Sequence, residues 1–438
     1  MAITDKLALD GGPPVVNHAD HAPWPDITDD DRAEVLAVLD RGVLCGADAP
    51  AVAALEREWA EYLGVAHCIA TNSGTAALHT AIASLGIGPG DEVIVPAYTY
   101  ISTAAAVAHA GAVPVFCDVD ERTFNIDPER IAERVTDRTK AIMPVHLHGL
   151  PADMKAIQAI ADRHGLAVIE DAAQAHGATY RGKKAGALAD CGGFSLNQTK
   201  NLAAGEGGLL VTDNDELHAV ARRFSNRGED VPKLGPGEFR VRSYVSHGLG
   251  WNYRCQELPA AVARSQLRRL DAYTENAQRN AAILNEGLGA LTGIVPPYVP
   301  ADRTSVYYKY RARIDAEALG VDLPGSELRD RLIRALRAEG VEALLWQIEP
   351  LPAYPAFRHT TYASWSPALD REPLGEWDPA EFPVASRVLD SSFILGSEPH
   401  PIIIQSSSVM DGYVDAFAKV LSNLDAVLEQ PFTPLLFD

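Results

Sequence analysis

The stretch LAVIEDAAQAHGATYRGKKAGALADCGGFSLNQTKNLAAGEGG, Leu166 to Gly208, decides the fold. It opens with an apolar run, Leu166–Ile169, short enough to be one buried strand, which delivers Glu170 and Asp171 at its end. A second short strand, Gly193–Leu196, delivers Ser195, Asn197, Gln198 and Lys200 into a glycine-rich turn. Ligands of open α/β sheets bind at the carboxyl ends of strands, so both endings are expected to face one crevice. Asp171 and Lys200 are separated by roughly 30 residues, about one strand–helix–strand excursion.

Working outward, strands are predicted at His67–Ala70, Glu92–Val95, Val113–Phe116, Ala141–Val145 and Leu209–Val211, in addition to the two already named. Helical periodicity lies between most of them, at Thr75–Leu85, Thr103–Ala110, Pro128–Val135 and Met154–His164. Such alternation predicts an α/β fold with a large, mainly parallel, doubly wound seven-stranded sheet. Before it, residues 1–30 read as an irregular arm, followed by two packing helices closed by Gly42 and Gly64. After it come a helix at Asp215–Phe224, a basic loop and one long helix from about Glu257 to Gly287. The division expected is an arm (1–30), a large α/β domain (31–271) and a smaller C-terminal α+β domain (272–438). In the last of these, Tyr307–Ile314 reads as a strand, Pro324–Glu339 as a helix and Asp411–Leu428 as a closing helix.

The 438-residue chain carries a formal net charge of −21, which argues against nucleic acid and anionic membranes as partners. Five scattered cysteines without a CxxC pair point to reduced thiols and a cytoplasmic setting. Neither a secretory leader nor a membrane-length apolar run is evident.

Several motifs carry chemistry, each with a plainer alternative. TNSGTAAL, Thr71–Leu78, places Gly74 and Thr75 at a helix start, where backbone N–H groups can hold a phosphate or merely cap the helix. Ser195 could add a hydroxyl to the same phosphate. PAYTYIST puts Tyr100 at a strand end, as a stacking platform for a planar ring or as ordinary core. Asp171 suits the ring nitrogen of pyridoxal phosphate or the cap of the next turn; Gln174 suits the ring hydroxyl or a capping box. Lys200 is placed to be desolvated and to serve as the cofactor's amine, or else is a surface lysine in a flexible turn. His146, His148 and His176 read as hydrogen-bonding or pocket residues, and no metal is expected. Arg223, Arg227, Lys233, Arg240 and Arg242 form either a solvated basic face or a docking point for an anionic substrate. Asn252, in GWNYRCQEL, is a turn residue on its own showing.

Six motifs in order, TNSGTAAL, PAYTYISTA, PVHLHGLPADM, EDAAQAHGA, FSLNQTKNLAAGEGG and NYRCQELPAA, resemble the DegT/StrS family of fold-type I aminotransferases, over about Ala33 to Val420. The resemblance implies pyridoxal 5'-phosphate on Lys200, Asp171 at its ring nitrogen and Gln174 near its ring hydroxyl. It also implies Tyr100 against the ring, and Gly74, Thr75 and Ser195 around the phosphate. Asn252 matches an asparagine that reaches the phosphate of a neighbouring subunit, which implies a homodimer with shared sites. A sister branch that removes hydroxyls carries histidine at the lysine position, so Lys200 implies transamination. His148 in VHLHG and the run LLWQIEPLPAYP, Leu344–Pro355, depart from members acting on nucleotide-linked sugars. Together with GGPPV they resemble the cyclitol aminotransferases of antibiotic pathways. The implied reaction passes an amino group from glutamate or glutamine to a keto-cyclitol or keto-sugar. A nucleotide-linked keto-sugar, or dehydration and aromatisation to an aminated benzoate, stands as the alternative.

Overall fold

The structure, a computed structural model, describes residues 6–46, 48–230, 246–358 and 378–435. Two helices precede the first strand. In α1 (Asp29–Arg41) the Thr28 backbone N–H is capped by Asp31 Oδ2 at 2.7 Å, and the helix stops at Gly42 in the left-handed region. In α2 (Pro50–Leu63) proline opens the first turn and Gly64 closes the last; Leu55, Trp59 and Leu63 form its buried face.

The main sheet contains β1 (His67–Thr71), β2 (Glu92–Pro96), β3 (Val113–Cys117), β4 (Thr139–Ile142), β5 (Ala167–Asp171), β6 (Cys191–Ser195) and β7 (Gly208–Thr212). Its order is β1-β7-β6-β5-β4-β2-β3, with β7 antiparallel to both neighbours and the other pairings parallel. The seven-stranded, mainly parallel α/β architecture expected of the sequence is therefore present. The central strands are buried on both faces, as their unbroken apolar runs require. Asp171 pairs in register with Gly193, which brings the ends of β5 and β6 side by side. Helices α3 (Gly74–Ser84) and α4 (Ser102–His109) start at the same edge of the sheet, after β1 and β2.

A second, four-stranded antiparallel sheet has the order β8 (Ile294–Val295), β9 (Tyr310–Ile314), β11 (Ser392–Leu395), β10 (Ala343–Leu344). Helices Gly325–Ala338 and Ser407–Ser422 cover it with their own core. The arm is irregular but packed. Leu7 and Val16 are buried in this second core, and Trp24 Nε1 donates to Gln198 O at 2.8 Å, two residues before Lys200.

Three helix readings need correction. The long helix is two, α7 (Glu257–Leu267) and α8 (Leu270–Gly289), counting Met154–His164 as α5 and Asp215–Ser225 as α6. The break falls at Arg268–Arg269, a site without glycine or proline; there Arg269 reaches Asp26 and Asp31 of the arm region, at 3.0 and 2.7 Å. The closing helix begins earlier, at Ser407, and breaks at Asn423, whose side chain donates to Lys419 O at 2.9 Å and so competes with the backbone. Pro128–Val135 yields one α-turn and a 3₁₀ turn. The strand expected from Tyr307 pairs only from Tyr310.

Candidate active site

β5 ends on Asp171, which is 5% exposed. Its Oδ2 accepts from Thr103 Oγ1 at 2.7 Å and its Oδ1 from the Ala173 N–H at 3.2 Å. Burial raises its carboxyl above the usual range, while these two donors and the charge of Lys200 pull the other way. Asp171 thus caps the following turn with one oxygen, as one of its two readings expected, and takes the Thr103 hydroxyl with the other.

β6 hands the chain to a tight turn. Leu196 N donates to Gly207 O at 2.8 Å, Gln198 N to Gly205 O at 2.9 Å and Lys200 N to Asn197 O at 2.9 Å. The turn carrying Lys200 is therefore held at several points. Lys200 is half-buried, and its Nζ donates to Tyr308 Oη at 3.1 Å while lying 4.3 Å from the centre of that ring. Burial alone would raise the Tyr308 phenol. The ammonium groups of Lys200 and Lys309, with hydrogen bonds to Thr199 and Lys200, bring it below its ordinary value.

The TNSG turn after β1 abuts the same place. A Cβ on Gly74 would sit 2.8 Å from Ser195 Cβ, and one on Gly208 would sit 2.2 Å from Ser73 O, so the two turns touch only because both positions lack a side chain. Ser73 Oγ accepts from Ala76 N at 3.1 Å as the N-cap of α3, and Thr75 Oγ1 donates to Ser102 Oγ at 2.8 Å. A helix start and three hydroxyl side chains thus converge on the edge where β6 ends.

Gln174 is buried, and its Oε1 accepts the His148 N–H at 2.8 Å. Tyr100 is 52% exposed, its ring nearly parallel to Trp346 at 6.2 Å. Asn252 stands apart: it is exposed and accepts from Arg254 Nε at 3.1 Å. Its segment is bound to the site all the same, since Asn72 N donates to Tyr253 O at 2.8 Å. Of the basic loop, Arg223 pairs with Asp230 and Arg227 with Glu229; Lys233, Arg240 and Arg242 lie outside the described residues.

The three histidines have separate surroundings. His146 Nδ1 accepts from Ala152 N at 3.1 Å, so Nε2 carries the proton it gives to Glu170 at 2.7 Å. Glu170 also accepts from Gly186 N and Leu188 N, and so ties β5 to the following hairpin. His176 packs between Trp59 and Phe194, and burial pushes it down to about 3. His148 sits in the left-handed region, its ring 5.7 Å from Trp346. Elsewhere, His18, His21 and Glu342 bring ligand-type atoms within 4.8 Å of one another, but both ring nitrogens of His21 are already engaged by His18 O and Tyr413 Oη.

Sequence reasoning missed Thr103, Tyr308 and the Glu170 clamp. Thr103 lies in the quoted PAYTYIST run, one helical turn beyond Thr99. Tyr308 lies some hundred residues away from Lys200 and left no local signal. All five cysteines are free, four of them buried. Among the described residues no helix is long and apolar enough to cross a membrane.

Comparison with known proteins agrees with this arrangement. The sequence model of the DegT/DnrJ/EryC1/StrS aminotransferase family matches residues 25–368. The chain is 42% identical to the GDP-perosamine synthase of Caulobacter vibrioides, over 69% of its length and 78% of the relative's. It is 38% identical to the L-glutamine:2-deoxy-scyllo-inosose aminotransferase of Streptomyces lividus, over 83% and 84%. The crystal structure of 3-amino-5-hydroxybenzoic acid synthase covers 92% of this chain and 99% of its own, with a TM-score of 0.79 and 31% identity. A family match over most of the chain, on a fold that sets a buried acid beside a tethered lysine, leads to one conclusion: the chain belongs to the DegT/DnrJ/EryC1/StrS aminotransferase family and is an enzyme of aminotransferase type.

Proposed function

We propose that the enzyme uses pyridoxal 5'-phosphate to pass an amino group from glutamate or glutamine to a keto-cyclitol or keto-sugar. The observation that carries this reading is the Lys200 amine, held 3.1 Å from Tyr308 Oη within the field of the buried Asp171 carboxylate. The donor set fits the cofactor: a carboxylate for a cationic ring nitrogen, a lysine for an aldehyde, and hydroxyls at a helix start for a phosphate. When bound, the cofactor supplies an electron sink that makes the α-proton of an amino acid labile.

The chain's own groups do the rest. Lys200 Nζ would hold the aldehyde of the bound cofactor and, once released by an amino donor, would carry the donor's α-proton. Asp171 keeps the ring nitrogen protonated, and its two hydrogen bonds fix the carboxylate for that task. Gln174 would serve the ring hydroxyl, Tyr100 the face of the ring, and Gly74, Thr75 and Ser195 the phosphate. Asn252 reaches the phosphate of a second copy, so the working unit is a homodimer; the exposure of Asn252 beside its own TNSG turn suits that role.

The Streptomyces lividus relative, alike over most of both chains, supports a cyclitol acceptor; the Caulobacter vibrioides relative supports a nucleotide-linked sugar as the second reading. Purified protein is expected to be yellow, to bleach with glutamate or glutamine, and to recover its colour when the right keto acceptor is added. Lys200→Ala is expected to lose turnover. Colour that persists with every donor while substrate is consumed would overturn transamination and favour the dehydrating branch.

A further inference from the structure

A small cavity of about 20 Å³ is lined among others by Phe124, His148, Tyr298, Lys309 and Arg311. None of the described residues lining it is an acid. Arg311 and Arg313 alternate along the strand and so share a face, and Lys309, just before the strand, lines the same cavity as Arg311. Of the three, among the described residues, only the outermost, Arg313, meets a carboxylate, Glu121 at 2.7 Å. Arg311 is 1% exposed; its Nε donates to Ser392 Oγ, its Nη1 donates to Tyr98 Oη, and its Nη2 has no partner. Lys309 is 3% exposed, and among the described residues its Nζ meets only the face of Tyr308, 5.0 Å from the ring centre. Buried cations are normally paired, because leaving one without a counter-charge costs several kcal/mol.

The proton arrangement in the adjoining chain of bonds is determined. Tyr98 Oη accepts from Arg311, so its single proton goes to His148 Nε2, 2.9 Å away. Burial holds Tyr98 up at about 12, and burial, then the charges of Arg311 and Lys309, hold His148 well below its ordinary value. A neutral His148 that accepts at Nε2 must carry its proton on Nδ1, and Nδ1 has no partner either. The cavity wall therefore offers N–H groups from His148, Lys309 and Arg311 and, among the described residues, no carboxylate to meet them.

We infer that this cavity is an oxyanion subsite of the active site, taking a carboxylate of the amino-acid donor; the inference rests on the transaminase reading above. Two connections tie it to the reacting centre. Lys309 adjoins Tyr308, which holds the Lys200 amine, and the His148 N–H is bonded to Gln174. A cavity of about 20 Å³ admits the head of a carboxylate at most and has no room for a nucleotide.

The test is titration of the holoenzyme, by calorimetry and thermal melting at constant ionic strength, with glutarate and separately with inorganic phosphate. Glutarate carries the carboxylates of a donor without the reactive amine. Wild type is expected to bind glutarate and to melt higher with it. Lys309→Met and Arg311→Met are expected to bind it at least tenfold more weakly and to need at least tenfold more glutamate for half-maximal bleaching. Lys309→Met, which removes a buried charge lacking a counter-ion, is also expected to melt above wild type when no anion is present, so it stays informative if Arg311→Met fails to fold. Glutarate affinity unchanged in Lys309→Met would overturn the subsite. Binding of phosphate but not glutarate would overturn its assignment to the donor and move it to a phosphorylated acceptor. Glutarate binding as expected, with no amino donor bleaching the enzyme, would instead refute the transaminase reading and leave the subsite standing.

Discussion

Tyr308 shows what one residue adds to a lysine amine. Its hydroxyl accepts from Lys200 Nζ, and the two ammonium groups beside it offset the burial that would otherwise raise the phenol. If this hydroxyl orients and helps to shuttle the Lys200 proton, Tyr308→Phe keeps the ring contact and loses the acceptor. The expected result is a fall in kcat of roughly 100-fold, the low end of the range typical of a positioned proton carrier. The alkaline limb of kcat against pH should change as well, and a profile identical to wild type would assign Tyr308 a packing role only. Histidines give the second prediction at this scale. His79 is pushed down to about 4 and His176 to about 3, in both cases chiefly by burial. Because the folded values lie below the unfolded value near 6.5, the unfolded chain binds these protons first. The stability this represents is whole above pH 6.5 and is lost as pH falls toward 4; at pH 5 each ring costs about 2 kcal/mol. Denaturant titrations between pH 7 and 5 check the slope, and His176→Phe should reduce it by one proton.

At the scale of elements, the site depends on one helix, α3, and two strands, β6 and β7, approaching more closely than side chains allow. A Cβ on Gly193 would sit 2.7 Å from Leu78 Cδ2, so β6 and α3 pack in direct contact. Gly193→Ala is expected to cost about 1–3 kcal/mol, as overpacking of a filled core does. It should also weaken cofactor retention, because α3 carries Gly74 and Thr75; a melting curve and cofactor content on dialysis measure both. The arm offers a second case. Lys419 Nζ donates to Glu339 Oε2 at 2.8 Å and to Pro13 O at 3.0 Å, while Glu339 Oε1 accepts from Ala8 N at 2.8 Å. Both charges are buried, so Lys419→Met leaves Glu339 unpaired and is expected to destabilise by about 3–5 kcal/mol. Limited proteolysis should then cut the arm before the core. The broken helices belong to this scale too: RRLD at Arg268–Asp271 holds no helix breaker, and only the carboxylates of Asp26 and Asp31, brought there by the fold, turn Arg269 aside.

Across the whole molecule, the active-site edge is where the N-terminal arm, the main sheet and the second sheet meet. Trp24 contributes from the arm, Asp171 and Lys200 from the main sheet, and Tyr308 from the lead-in to the second sheet. A net charge of −21 surrounds a cavity lined by Lys309 and Arg311 without an acid, so the distribution of charge, more than its sum, governs what can bind.

Alternating apolar runs and helical periods were enough to determine the α/β sheet, because burial on both faces writes itself into local composition. The same short-range pattern marks the positions of Asp171, Gln174, Lys200, Gly74, Thr75 and Ser195, each just at or after a strand end or at a helix start. Only the tertiary structure decided that Tyr308 meets Lys200, that Thr103 meets Asp171, that one apparent helix is two, and that three nitrogen-bearing side chains face a cavity with no counter-ion. Those pairings join segments distant in sequence, and their partners are set by packing and desolvation, neither of which has a period along the chain.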